Sequence, residues 1–420
     1  MNISLVLPIS ILIGFTALMK YLQKSWLAPG TFFAVLWTFF VVTPIVFAPS
    51  YPVFPFGIWV ITTFVFAVSM GSVLARQFQN KINIQIEDES ISIIHRFLFL
   101  ATFILTIISS MGLIFLFFFG VSRFNLSNSI IDFLVLPNQF SMDRYHGAVV
   151  IPQTVRLMMY LLYPASLMGG IAFINVSKKW QKIFLIIPIV LSIGFAFLLT
   201  TRSTILLSVI LWSSGLFTSK IFHHDGKTKI LKFQSLIILI FTFAGFTGIF
   251  ILTAWLRDAG GEIFIDAMID NVSAYFFGYL SSFTQWIQVY NQKNILFGMV
   301  TFAGPADLLG LTERELGFYN EVSVLGESHT NIFTALRGII HDFSIIGGFL
   351  YFGIFGFIGT MAYNACFNKR ILWIIPLSIF YAFTIYSPLI SIFNYNSILF
   401  SWIILGFTII ISPIFKRYMI

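Results

Sequence analysis

The sequence predicts an all-α fold, a polytopic integral membrane helix bundle of about eleven spans, and three observations carry that prediction. Hydrophobic residues make up 58% of the 420 positions and charged residues only 10%, against roughly 45–50% and about 25% in a soluble domain. Apolar runs close to the roughly 20 residues that cross a bilayer recur along the chain, divided by short clusters of Lys, Arg, Asn, Pro and Gly. The stretch from Phe97 to Phe119 has neither a charge nor the apolar/polar alternation of a barrel strand, so its backbone is satisfied as a helix.

In chain order the spans are expected at 3–19, 27–48, 55–75, 97–119, 154–175, 183–200, 203–219, 233–254, 344–366, 371–388 and 396–413. The first is retained as a helix, because Met1 to Met19 lacks a basic leader and is followed by Lys20 and Lys24. The pair within Ile183 to Phe217 has scarcely enough residues for two crossings, which puts Arg202 at the tip of a tight hairpin. Ile263 to Tyr290 is semi-apolar but interrupted by Ser, Thr, Gln and Asp, and is expected as helices lying on the outer membrane surface. Counting it as a further span would put Lys369, Arg370, Lys416 and Arg417 outside, against the rule that bases stay on the cytoplasmic side.

With this set of spans, 16 of the 24 Lys and Arg residues fall on one face and eight on the other, so the N-terminus is expected outside and the C-terminus inside. Twelve of the 16 acids fall outside. The net charge of +8 therefore reflects topology and contact with anionic membrane lipids; nucleic acid is not an expected partner. No phosphate-cradling glycine loop of the nucleotide-binding type is present, and the single cysteine, Cys366, forms no intrachain disulfide.

Two outer loops are long, 120–153 and 255–343, and long loops are where function concentrates. The outer face holds seven arginines and one lysine, whereas lysine dominates the inner face. A guanidinium stays charged and grips phosphate oxygens bidentately, so arginines at a bilayer surface suit a lipid diphosphate; the plain alternative is pairing with outer carboxylates. Arg202, Arg257, Arg314 and Arg337 are the candidates. Arg202 has no acidic neighbour in sequence and is flanked by Thr200, Thr201, Ser203 and Thr204, all able to donate to an anion, whereas Arg257 adjoins Asp258.

The segment from Gly310 to Gly348 is the densest polar stretch of the chain and includes Glu327, His329, Arg337, His341 and Asp342. Acids and histidines there can supply a general base, and arginines can neutralise a leaving group. His329 is the first candidate base, since imidazole titrates near neutrality, and a helix opening at Asn331 would put Arg337 on its face two turns later. Asp342 is the alternative, although it can instead cap the helix that follows; Glu327 and His341 come next. His329 and His341 lie in no His-Glu-x-x-His pattern and have no cysteine partner, so neither a metal nor another cofactor is expected. His223 and His224, in a lysine-rich inner loop, are expected as solvated linker.

With its many-helix plan, the Thr-Arg-Ser turn at 201–203, Thr330-Asn331-Ile332-Phe333-Thr334-Ala335-Leu336-Arg337 and the following His341-Asp342-Phe343-Ser344-Ile345-Ile346-Gly347-Gly348, the chain resembles the O-antigen polymerase (Wzy) family, also called oligosaccharide repeat unit polymerases. Members often carry Asp-Phe-Gly where Ser344 here replaces the glycine, and Ser328-His329-Thr330-Asn331 is similar to the His-Asn element of the related O-antigen ligases. The resemblance implies a GT-C-like bundle in a bacterial inner membrane, residues 1–420 forming a single transmembrane domain with periplasmic loops at 120–153 and 255–343, the second carrying the active site. It implies a glycosyltransferase that moves a growing glycan from undecaprenyl diphosphate to the terminal sugar of another carrier-linked repeat unit. Expected partners are undecaprenyl-diphosphate-linked oligosaccharides, membrane lipids and a chain-length regulator protein. The competing expectations are an O-antigen ligase or other lipid-linked glycosyltransferase and, from a different class, a repeat-unit flippase or transporter. Against transport, no internal repeat is evident and the charges gather at the outer surface.

Overall fold

The computed structural model describes residues 3–77, 88–125, 136–140, 142–143, 151–223, 248, 265–291, 294–312, 319, 321–326 and 328–412. Eight helices among them are long and apolar enough to cross a membrane, from Ser4–Gln23 to Ala335–Phe367, and Ile371–Tyr386 and Asn396–Ile411 are apolar but shorter. The chain is thus a helical, multi-pass membrane protein. Every expected span coincides with a described helix or pair of helices, save 233–254, of which only residue 248 is described. The one sheet among the described residues is a two-stranded hairpin. Two compact units make up the chain, Met1–Gln85 with Ile269–Leu399 and Ile86–Met268 with Phe400–Ile420, a division that the sequence does not announce.

In the first unit, Pro29 and Pro55 open the Pro29–Phe47 and Pro55–Gln77 helices, where a missing N–H costs nothing and the fixed φ favours the first turn. The Pro55–Gln77 helix packs on Ala335–Phe367 through glycine. A Cβ added at Gly71 would run into the carbonyl oxygen of Gly353, and one added at Gly356 into that of Val68. In lipid, where apolar surface alone drives little association, such close backbone approach supplies the packing. Gly356→Ala is therefore expected to lower stability by about 1–3 kcal/mol, the range of core overpacking, read as a lower thermal midpoint in detergent. An unchanged midpoint would show that the two backbones do not meet at this depth.

A satisfied polar cluster ties four helices of the same unit together. The buried Gln23 side chain donates to Ser72 Oγ (2.6 Å) and accepts from both the amide and the hydroxyl of Thr31 (2.9 and 3.1 Å). Ser72 also shares a hydrogen bond with Thr360 at 2.5 Å. Arg76 donates to the carbonyls of Leu22 (2.8 Å) and Gln23 (3.3 Å), completing the end of the first helix.

The semi-apolar stretch expected as surface helices is one continuous helix, Ile265–Val289, and its second half is docked into the protein. Tyr279, Leu280 and Phe283 are buried. Hydroxyls of this helix bond to backbone: Tyr279 donates to the Phe40 carbonyl (2.8 Å), and of the Ser and Thr residues that looked like interruptions Ser281 donates to the Pro52 carbonyl (2.6 Å) and Thr284 Oγ1 accepts from the Phe54 amide (3.3 Å). Each hydroxyl is thus matched without water, which lets a polar helix lie against the turn between the second and third helices.

The second unit uses the same glycine device. Added Cβ atoms at Gly170 and Gly215 would meet the carbonyl oxygens of Trp212 and Leu167, so the Leu162–Ala172 and Arg202–Phe222 helices touch backbone to backbone. Leu116, Leu136, Phe140 and Phe195 form a core, to which described residues of 120–153 contribute Leu136 and Phe140. Arg123 pairs with Asp143 at 2.7 Å, the plain carboxylate partnership weighed for the outer arginines. His223 is not the solvated linker expected: its ring lies 4.7 Å from that of His95, whose Nδ1 meets the Asn175 amide at 2.9 Å. His224 lies outside the described residues.

Candidate functional site

The site grows from a break in the Ala335–Phe367 helix. Ser344 has φ 67° and ψ 176°, a backbone that glycine adopts freely and other residues adopt at a cost of order 1–3 kcal/mol. It divides the helix into a short leg, Ala335 to Phe343, and a long apolar leg that matches the expected span. Ser344 Oγ accepts the Gly347 amide at 3.3 Å and so caps the long leg. Capping by Asp342 is corrected accordingly.

Asp342 has a different task. It is fully buried; Oδ1 accepts the Val300 amide (3.0 Å), Oδ2 the Thr301 amide (2.6 Å), and its backbone carbonyl takes the Phe297 amide (3.1 Å). From the other side the Ser391 hydroxyl donates to the Thr301 carbonyl (2.7 Å), and the Asn394 amide nitrogen, turned inward, donates to the Val300 and Thr301 carbonyls (3.0 and 3.1 Å). The turn at 297–302 is therefore clamped through its own peptide groups, with a charge-assisted bond at each carboxylate oxygen.

Arg337 stands on the short leg and is 3% exposed. Its guanidinium carbon lies 4.0 Å from the Tyr319 ring centroid, 4.1 Å from that of Phe333 and 5.2 Å from that of Trp286. Cation–π contact of this kind contributes about 2 kcal/mol when desolvated. Nη2 pairs with Glu321 Oε2 at 2.7 Å, while Nε and Nη1 are buried with no partner among the described residues. A buried guanidinium with two unmatched nitrogens is costly unless something else accepts from them.

His341 follows Arg337 by one helical turn. Its ring is half-buried, 5.1 Å from Trp286 and 4.9 Å from Tyr290, so the imidazole and the guanidinium both lie on Trp286. Burial, then the Asp342 charge, raises the Tyr290 phenol above its ordinary value, opposed by Arg337. Burial raises Tyr319 likewise, with Arg337 pulling the other way, so both phenols stay protonated at neutral pH.

The other sequence candidates are elsewhere. His329 sits exposed on the second strand of the Ser323–Leu325/Ser328–Thr330 hairpin, opposite Val324, and the helix begins only at Ala335. The shared helical face expected for His329 and Arg337 therefore does not exist. The hairpin lies on the Ile265–Val289 helix at Gly278, where an added Cβ would meet Leu325 and Thr330, and Gln285 donates to the Val324 carbonyl at 3.0 Å. Arg202 does stand at a hairpin tip, opening the Arg202–Phe222 helix after left-handed Thr200, but it belongs to the second unit. The hydroxyls expected to serve an anion there bond locally: Thr200 donates to the Leu199 carbonyl (2.7 Å), and Thr201 and Thr204 pair at 3.0 Å. Arg257, Arg314 and Glu327 lie outside the described residues. Among the described residues no three of His, Cys, Asp and Glu gather as a metal site.

Trp286, Tyr290, Tyr319 and Phe333 are site residues that sequence reasoning missed. They come from separate segments, and only the proximity of aromatic residues to the dense polar stretch hinted at them. Comparison of the chain with family models, with curated proteins and with solved structures gives no match.

Proposed function

We propose that this chain is a polymerase of lipid-linked oligosaccharide repeat units, working on the periplasmic face of a bacterial inner membrane with undecaprenyl-diphosphate-linked donor and acceptor. The observation that carries the reading is Arg337: a buried, aromatic-walled guanidinium with two nitrogens unmatched among the described residues, beside His341 on the same helical leg. That pairing of a phosphate-gripping cation with an imidazole able to accept a proton is what the transfer needs.

In the reaction, an acceptor sugar hydroxyl attacks the anomeric carbon of the donor glycan. A new C–O bond forms as the bond from that carbon to the diphosphate oxygen breaks, and its electron pair leaves with undecaprenyl diphosphate. Arg337 neutralises the departing charge, and His341 takes the hydroxyl proton. Asp342 acts as a positioning residue, holding the 297–302 turn against the leg that bears both groups.

His341→Ala is expected to lower turnover by about 10²–10⁴-fold, the usual contribution of a positioned acid or base, while His329→Ala stays near the wild type. The reverse order, measured on one purified lipid-linked substrate, would return the base to His329. In cells, deletion of the gene should leave single repeat units on the lipid A core. Full-length chains stranded on the carrier would mark a ligase, and loss of outward-facing units a flippase.

A further inference from the structure

The Arg337–Glu321 pair is lopsided. The arginine side chain is 4% exposed and the glutamate side chain 68%. Tyr319 and Phe333 cover the guanidinium at 4.0 and 4.1 Å, so the solvent side of the group is the side where Glu321 sits. A guanidinium offers two bidentate edges, Nε with Nη2 and Nη1 with Nη2. Each edge uses one of the two Nη2 hydrogens, and Glu321, 2.7 Å from Nη2, takes one of them, so it holds one edge and sets its own negative charge against an anion on the other.

We propose that the Glu321 carboxylate is a built-in stand-in for the substrate's diphosphate, and that the two anions compete for the Arg337 guanidinium. The inference rests on reading Arg337 as the diphosphate site and adds a device to it. Glu321 keeps the guanidinium charge-paired when the site is vacant, yields when a diphosphate oxygen takes Nη2, and returns as the product leaves. Nε and Nη1, unmatched among the described residues, are the positions that a diphosphate adds, so exchange converts one charge-assisted contact into two or more. A carboxylate on the solvated side is suited to this, because its release costs little desolvation.

The test is titration calorimetry of inorganic diphosphate into the full-length protein in phosphatidylcholine nanodiscs, where no anionic headgroup competes. Glu321→Gln removes the competing charge and should tighten binding by about tenfold, the scale of one charge-assisted contact. Glu321→Asp, with its shorter reach, should tighten it less, and adding Arg337→Ala to Glu321→Gln should abolish it. Thermal midpoints of the variants confirm folding. Equal or weaker binding by Glu321→Gln, with wild-type binding intact, would overturn the stand-in role and leave Glu321 as an orienting partner of Arg337. Diphosphate binding by neither the wild type nor Glu321→Gln would instead bring down the diphosphate reading of Arg337, and this proposal with it.

Discussion

Arg337→Ala is expected to abolish measurable transfer, with turnover lower by at least about 10²–10³-fold, the loss that follows removal of one preorganised charge stabiliser. The magnitude comes from the setting. In a site walled by Tyr319, Phe333 and Trp286, a charge–charge contact is screened far less than in water, and its donors need no reorganisation when the leaving diphosphate gains charge. Arg337→Lys should recover little of that loss. An ammonium keeps the charge but not the planar fork that lies against the Tyr319 and Phe333 rings and offers two nitrogens side by side. Both variants should bring acceptor-independent release of undecaprenyl diphosphate down together with transfer. Near-normal turnover by Arg337→Lys would mean that point charge alone suffices, and the bidentate account would fail.

Asp342→Asn should cost stability first and activity as a consequence. The carboxylate accepts one backbone N–H at each oxygen inside a fully buried site. Asparagine retains one acceptor and presents an NH₂ to the other amide, so one N–H of Val300 or Thr301 loses its partner. Leaving a buried donor unsatisfied costs about 1–3 kcal/mol, and losing the charge-assisted character of the second bond adds to that. Asp342→Ala, which strands both amides, should cost more. Thermal unfolding in detergent and turnover per folded molecule separate the roles. A normal thermal midpoint with dead turnover in Asp342→Asn would give Asp342 a direct part in the chemistry.

The spans were legible because the bilayer demands long apolar runs, and every expected span that falls on described residues has a helix there. What failed was local and polar. Asn331 to Arg337 looked helical, yet Thr330 just before it closes a β-hairpin and the helix waits for Ala335. Gly326-Glu327 between two short β-favouring runs was the readable sign, since glycine with positive φ opens a two-residue hairpin turn. The partners of Arg337 and Asp342 were beyond reach for another reason. Trp286, Val300, Thr301 and Tyr319 are 18 to 51 residues away, and helical periodicity carries no information about which distant segment supplies an N–H or an aromatic face. Ser344 lay between the two cases. In sequence it is only a small departure from an Asp-Phe-Gly pattern, and the positive φ of its backbone went unforeseen.

The most direct measurement supplies the purified protein with one defined undecaprenyl-diphosphate-linked repeat unit and follows two products, lengthened glycan on the carrier and free undecaprenyl diphosphate. The account predicts a ladder of lipid-linked polymers, with one undecaprenyl diphosphate released for each glycosidic bond, no added nucleotide sugar required, and both products lost together in Arg337→Ala. Intact repeat units with no carrier release by a folded protein, or a ladder that persists in Arg337→Ala, would contradict it.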